Sequence, residues 1–166
     1  MSSQLERTLV LLKPDAVVRG LIGEVTSRFE RVGLKILGLK LVQVDREFAQ
    51  KHYTEDLAKR RGEHVRAMMV DFMISGPLVA MCLEGVAAIE NVRKMIGATE
   101  PKAALPGTIR GDYTHMSYAY ADELKIGIKN IVHASADAND AESEVPLWFK
   151  DSELCSYTTV NESQVW

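Results

Sequence analysis

Arg7-Thr8-Leu9-Val10-Leu11-Leu12 runs directly into Lys13-Pro14-Asp15. The first six residues are almost continuously apolar and rich in strand formers, and Pro14 lacks the N–H that further ladder pairing requires, so the stretch predicts a central strand with a sharp end. Outward from it, Gly20 and Gly33 bracket a segment in which Leu21, Ile22, Val25, Phe29 and Val32 recur at helical spacing. This predicts an amphipathic helix closed by Gly33. Residues 34–44 alternate in part, with Lys35, Lys40 and Gln43 among apolar neighbours, and predict a half-buried strand. Helical stretches follow over about 46–60 and 63–74, and after Gly76-Pro77 the run Leu78-Val79-Ala80-Met81-Cys82-Leu83 predicts a third strand. Beyond Gly85, Val86, Ile89, Val92, Met95 and Ile96 trace another helical face.

Residues 97–129 contain Pro101, Pro106, Gly107, Gly111 and Gly127 with no sustained period, which predicts a long connection of the kind that is functional or disordered in a compact domain. Asn130-Ile131-Val132-His133-Ala134 returns the chain to the sheet, and residues 137–147 predict a small acidic helix ending near Pro146. Strands alternating with helices in so short a chain imply an α/β sandwich. With about four strands available, helices are expected mostly on one sheet face.

The 166 residues are 46% hydrophobic and 26% charged. That length suits one domain, and that apolar content buries about 70% of the surface of the unfolded chain, which excludes a disordered or fibrous class. Twenty basic against 23 acidic residues give a net charge of −3, with a pI near 5.8. No global field would hold a nucleic acid or an anionic membrane, so a bound anion must be met by locally placed cations. Cys82 and Cys155 lack the density of a disulfide framework or the spacing of a zinc site. The N-terminus has no apolar signal core and no hydrophobic stretch reaches membrane-spanning length, so a soluble cytoplasmic protein is expected.

Neither G-x-x-x-x-G-K-[ST] nor G-x-G-x-x-G is present, and there is no H-E-x-x-H. What remains is Lys13 after the first strand, Arg93 on a helix and Arg110 within Pro106-Gly107-Thr108-Ile109-Arg110-Gly111-Asp112. Forked arginines and a lysine point charge are what a polyphosphate requires, although each alone also suits a solvated surface. His52, His64 and His115 have polar neighbours and are expected to face solvent. His133 ends an apolar run, with Ser135 two residues on and Glu144 eleven on. A helix could return that carboxylate to the ring and fix its tautomer; a hydrogen-bonded core histidine is the other reading.

Taken together, Lys13-Pro14-Asp15, His52-Tyr53, Arg93 with Gly97-Ala98-Thr99, the Arg110 loop, Asn130-Ile131-Val132-His133-Ala134-Ser135 and Glu144 with Leu147-Trp148-Phe149 closely resemble, in order, the motifs of nucleoside diphosphate kinases over about residues 5–157. The resemblance implies a ferredoxin-like βαββαβ sandwich, a four-stranded antiparallel sheet with helices on its faces. It also implies a single domain over residues 1–166, with a core of about 5–149 and a C-terminal segment 150–166. The implied reaction is ping-pong: a nucleoside triphosphate phosphorylates His133, which then phosphorylates a nucleoside diphosphate. Lys13, Tyr53, Val65, Arg93, Thr99, Arg110 and Asn130 would bind nucleotide or phosphate. Ser135 and Glu144 would support His133, and Lys13, Tyr53 and Asn130 would also serve catalysis. Mg²⁺ would ride on the phosphates without direct protein ligands. A homo-oligomer, hexamer favoured over tetramer, is implied, with no nucleic acid or membrane partner. A catalytically weak regulatory module of the same fold is the alternative, and the complete residue set counts against it.

Three stretches depart from that pattern. Where the family usually carries a base-stacking aromatic, Leu57-Ala58-Lys59-Arg60-Arg61-Gly62-Glu63-His64-Val65-Arg66 has none, leaving Val65, Arg66 or no residue for that role. Arg110 and Asn130 lie twenty positions apart, where the family has about ten. The extra segment within 114–129 carries Tyr118 and Tyr120. It is expected to serve a subunit contact, the alternative being a tyrosine folded over the site. The usual aspartate after the serine is Ala136, with Asp137 displaced by one.

Overall fold

In the computed structural model, which describes residues 4–160 and 162–165, the apolar runs form one sheet. Its strands are β1 (Leu5–Leu12), β2 (Lys35–Val42), β3 (Leu78–Val86) and β4 (Val132–Ala134). The order is β2-β3-β1-β4, and every neighbouring pair is antiparallel. β1 pairs with β3 from Leu5 opposite Val86 to Leu12 opposite Val79, and with β4 at Leu11 opposite His133. Each crossover skips one strand, leaving β1 and β3 in the centre, which is the ferredoxin-like arrangement expected. Helices α1 (Pro14–Val18), α2 (Ile22–Arg31), α3 (Arg46–His52), α4 (Glu55–Arg61), α5 (Glu63–Met73), α6 (Ala88–Ile96), α7 (Ile109–Tyr113), α8 (Tyr118–Glu123), α9 (Ala138–Trp148) and α10 (Glu162–Val165) complete it.

Helices cover both sheet faces, not mostly one. Period-2 alternation sends Val10, Leu12, Val79, Met81, Val132 and Ala134 to one side, against Val25 and Phe29 of α2 and Val92 and Ile96 of α6. It sends Leu9, Leu11, Leu78, Ala80 and Cys82 to the other, against Ala49 of α3, Val70 and Met73 of α5 and Trp148 of α9. A strand apolar at successive positions presents two apolar faces, and each must be covered; burying a Phe or Leu on either is worth about 1.5–3 kcal/mol.

Several boundaries differ from the sequence reading. Pro14 not only ends β1 but begins α1, where its missing N–H costs nothing. The 46–60 stretch divides at Tyr53-Thr54 into α3 and α4. The long connection contains α7 and α8, each capped by a side chain: Thr108 accepts from the Gly111 N–H and Ser117 from the Tyr120 N–H. Helices this short are invisible to periodicity. Pro146 lies inside α9, which continues to Trp148. The chain then runs back along β2, where the Cys155 N–H donates to the Leu37 carbonyl at 2.7 Å beside a bulge between Ile36 and Gly38.

Candidate functional site

β4 is three residues long, and its alternation decides the site. Val132 and Ala134 enter the α2–α6 core, so His133 points to the opposite face, under α3 and α9. Register is set just before it. Ile131 is buried with φ at +70°, unusual for a β-branched residue, and is tied on both sides. Its N–H donates to Asp15 Oδ2 at 3.0 Å, and its carbonyl accepts the Lys13 N–H at 2.7 Å. Arg110 adds a clamp, donating to the carbonyls of Gly97 at 2.8 Å, Val132 at 2.7 Å and Asn130 at 3.3 Å.

Asp137 caps α9 by accepting the Asp140 N–H at 2.9 Å, so the displaced aspartate has a local structural task. Two turns on, α9 returns Glu144 to the sheet. Glu144 Oε1 lies 2.9 Å from His133 Nε2, and Glu144 Oε2 accepts the Ser135 hydroxyl proton at 2.7 Å. Ser135 Oγ in turn accepts the Leu9 N–H at 3.2 Å. A carboxylate only accepts, so Nε2 carries the ring proton and Nδ1 keeps a free lone pair. Burial works to raise the Glu144 pKa, but the His133 hydrogen bond and charge, helped by His52 and Ser135, outweigh it and the carboxyl stays below its ordinary value.

His52 does not face solvent as expected. Its ring is buried and packs edge-on against His133, with centroids 4.6 Å apart. The Trp148 indole N–H donates to its Nδ1 at 3.3 Å, which puts the His52 proton on Nε2. Burial and the neighbouring His133 push its pKa down to about 3, so it is a neutral wall of the site. The signal was present: His52 lies three residues after buried Ala49, on the inner side of α3. His64 and His115 are exposed, as expected.

A cavity of about 500 Å³ opens from His133 and Glu144, lined by Lys13, Tyr53, Val65, Arg93, Thr99, Arg110 and Asn130. Ser135 alone of the expected site residues is absent from its wall, buried behind Glu144. The Lys13 ammonium lies 5.2 Å from the Phe72 ring centroid and donates to the Ile128 carbonyl at 3.4 Å. Burial lowers its pKa to about 8, with Asp15 opposing and Arg110 adding to the fall. Burial and then Arg93 lower Arg110 to about 10. Asn130 donates to the Thr99 carbonyl at 2.7 Å and keeps a buried Oδ1 with no partner among the described residues. The Tyr53 phenol is held protonated, chiefly by burial and then by Glu144 and Asp15.

Of the two candidates near 65, Val65 lines the cavity, whereas Arg66 donates to the Tyr53 carbonyl at 2.7 Å and pairs with Glu63. Tyr118 lines the cavity too; Tyr120 is 53% exposed. His52, His133 and Glu144 also bring one ligand atom each within 4.8 Å of one another. Two nitrogens and one oxygen do not suit a hard cation such as Mg²⁺, which prefers all-oxygen coordination.

The model of the nucleoside diphosphate kinase family matches residues 6–154. The nucleoside diphosphate kinase of Borreliella burgdorferi is 48% identical over 161 residues, covering 96% of each chain. A structure of the Borrelia burgdorferi enzyme, described as a transition-state mimic with bound vanadate and ADP, superposes with a TM-score of 0.95 at 48% identity, covering 97% of this chain and 96% of that one. The enzyme of Halobacterium salinarum in complex with CDP has a TM-score of 0.83 at 38% identity, covering 97% and 98%. A cationic cavity beside a carboxylate-held histidine, on a ferredoxin-like sheet shared almost end to end with these proteins, places the chain in the nucleoside diphosphate kinase family.

Proposed function

We propose that His133 carries the phosphoryl group between a nucleoside triphosphate and a nucleoside diphosphate in two in-line transfers. The observation that supports this most directly is the 2.9 Å contact of His133 Nε2 with Glu144. With Nε2 engaged, Nδ1 is the nucleophile: it attacks the γ-phosphorus, the N–P bond forms, and the bond to the β–γ bridging oxygen breaks to release the diphosphate. The ring becomes cationic, and Glu144 stabilises the Nε2–H. In the second half a terminal oxygen of the incoming diphosphate attacks the same phosphorus and Nδ1 leaves with its electron pair. Phosphoryl groups on imidazole and on a diphosphate are both readily transferable, so the cycle runs in either direction.

Loose phosphoryl transfer needs mainly positioning and charge neutralisation, which Lys13, Arg93 and Arg110 supply. Three of the five Arg110 N–H groups are spent on backbone carbonyls, leaving two for phosphate. Arg93 has no salt-bridge partner among the described residues and brings its whole fork. The Tyr53 phenol and the Asn130 and Thr99 side chains complete the polar wall for phosphate and ribose. At the phosphate end the deep carboxylate, Glu144, is already engaged by His133 and Ser135. This donor set fits Mg²⁺ delivered on the nucleotide, held by phosphate oxygens and its own waters. When bound, Mg²⁺ would offset charge that builds on the phosphate oxygens, while Lys13, Arg93 and Arg110 hold the phosphates in place.

Residues 1–166 act as one catalytic unit, and copies assemble, with a hexamer favoured over a tetramer; Leu39 and Leu41 remain 50% and 60% exposed on β2, an outer strand of the sheet. Two unpaired cysteines, Cys82 and Cys155, suit work in the reducing cytoplasm.

Incubation with γ-labelled ATP tests the assignment: the protein takes up acid-labile label, and His133→Ala takes up none and no longer exchanges phosphate between ATP and GDP. Exchange at the wild-type rate by that variant would overturn it. Arg93→Ala and Arg110→Ala each lower kcat/KM about tenfold or more, since a charge-assisted hydrogen bond is worth about 1.5–3 kcal/mol. Only Arg110→Ala also lowers stability, because it alone releases three carbonyls.

A further inference from the structure

A nucleotide whose terminal phosphate lies at His133 must run outward along the cavity, and its base needs a flat apolar face there. Besides the histidines, Tyr53 and Tyr118 are the aromatic residues on that wall among the described residues. Tyr53 is buried at the phosphate end, its ring 4.8 Å from His52. Tyr118 opens α8, the helix formed by the extra segment between Arg110 and Asn130. Its backbone is fixed from two sides: its N–H donates to Glu100 Oε1 at 2.9 Å, and the Lys102 N–H donates to the Met116 carbonyl at 3.0 Å. The ring is therefore presented by a tethered element rather than by a free loop.

The ring face is occupied. The Arg61 guanidinium carbon, reaching across from α4, lies 4.9 Å from the Tyr118 centroid, within cation–π range. Arg61 is otherwise exposed and has no salt bridge among the described residues. Stacked rings need centroids about 4.5–7 Å apart. No base fits between this cation and this ring as they stand, so a base that stacks on Tyr118 must take the cation's place.

We propose that Tyr118 is the base-stacking residue of this chain and that Arg61 covers its face until a nucleobase displaces it. This rests on the reading of His133 as phosphoryl carrier, which sets the direction of the nucleotide. Every base has a π-face, so such a site ranks the four bases weakly. It also replaces the aromatic missing from residues 57–66 with one supplied by a different element. The two tyrosines of the segment thereby divide: Tyr118 belongs to the cavity, while Tyr120, 53% exposed, remains available for contact with another copy.

The test compares ADP with inorganic tripolyphosphate, which has the charge but no base, by titration calorimetry on the full chain. Tyr118→Ala weakens ADP binding about tenfold, the scale of one lost base–aromatic stack, and leaves tripolyphosphate unchanged. Tyr118→Phe, which keeps the ring, binds ADP within about twofold of wild type and controls for folding. Arg61→Ala, which uncovers the ring, binds ADP as tightly as wild type or more tightly. In turnover, Tyr118→Ala raises KM for all four diphosphates with kcat nearly level. Equal losses for ADP and tripolyphosphate, or none for either, overturn the stacking role, and a tenfold loss in Arg61→Ala overturns the displacement. Failure of wild type to take label from ATP removes the phosphoryl-carrier reading instead, and the binding arms remain readable without it.

Discussion

Lys13 is buried, with a pKa of about 8 where a free lysine has 10.5, so near pH 8 it is only about half charged before a phosphate arrives. A bound polyphosphate favours the ammonium and raises that value. The sign follows: between the free and bound pKa the complex holds more protons than its parts, so binding takes up a proton and affinity falls as pH climbs above about 8. ADP titrations at pH 8.5 in HEPES and Tris, whose ionisation enthalpies differ, give different observed heats in wild type and equal heats in Lys13→Met. Equal heats in wild type would contradict the coupling. At this scale the spacing of Ser135 and Glu144 left His133 between a held nucleophile and a core histidine, and only the full set of motifs decided between them, whereas His52 was passed over because polar Gln50 and Lys51 beside it masked its three-residue spacing from buried Ala49.

Helical spacing announced α2 and α6, where nine or ten residues give a pattern room to repeat, and unbroken apolar runs closed by Pro14 and Gly85 announced β1 and β3. α7 and α8, five and six residues long, owe their existence to the Thr108 and Ser117 caps, and a cap without a following period reads as loop. Pattern alone put the helices mostly on one face, and the second layer came only with the family resemblance, because sequence shows that β1 is apolar on both faces but not which helices reach around to cover it. Gly97 shows how an element end serves the site. It closes α6 at φ +82°, a Cβ there would lie 2.5 Å from Thr108 Oγ1, and its carbonyl accepts Arg110 Nη1. Gly97→Ala costs roughly 1–3 kcal/mol in urea unfolding and also lowers kcat/KM, because the shift reaches the Arg110 clamp. A variant with wild-type stability and kinetics would refute that linkage.

For the molecule as a whole, keeping His52 neutral has a price in acid. Its folded pKa of about 3 lies below the ordinary 6.5, so as pH falls the unfolded chain takes the proton first. The stability is fully present above about pH 6.5 and is lost progressively below it, with a slope of up to about 1.4 kcal/mol per pH unit. Glu144, whose pKa is lowered in the fold, adds to the loss further down. Urea unfolding at pH 7 and pH 5 shows the fall, and His52→Gln, which still offers the Trp148 indole an acceptor, has a shallower one. A wild-type protein equally stable at both values would rule out the buried neutral ring. The net charge of −3 says that an anion must be met by local cations but nothing of the acid response, which arises from a few buried groups. The ties around Ile131 set a further condition on how such a chain varies. Because Lys13 and Asp15, just past the end of neighbouring β1, fix the register of β4, the place of His133, the proposed phosphoryl carrier, does not depend on how the chain arrives there. The segment before it is free to lengthen, fold and acquire side chains of its own, so substrate recognition can drift over evolutionary time while the chemistry stays put.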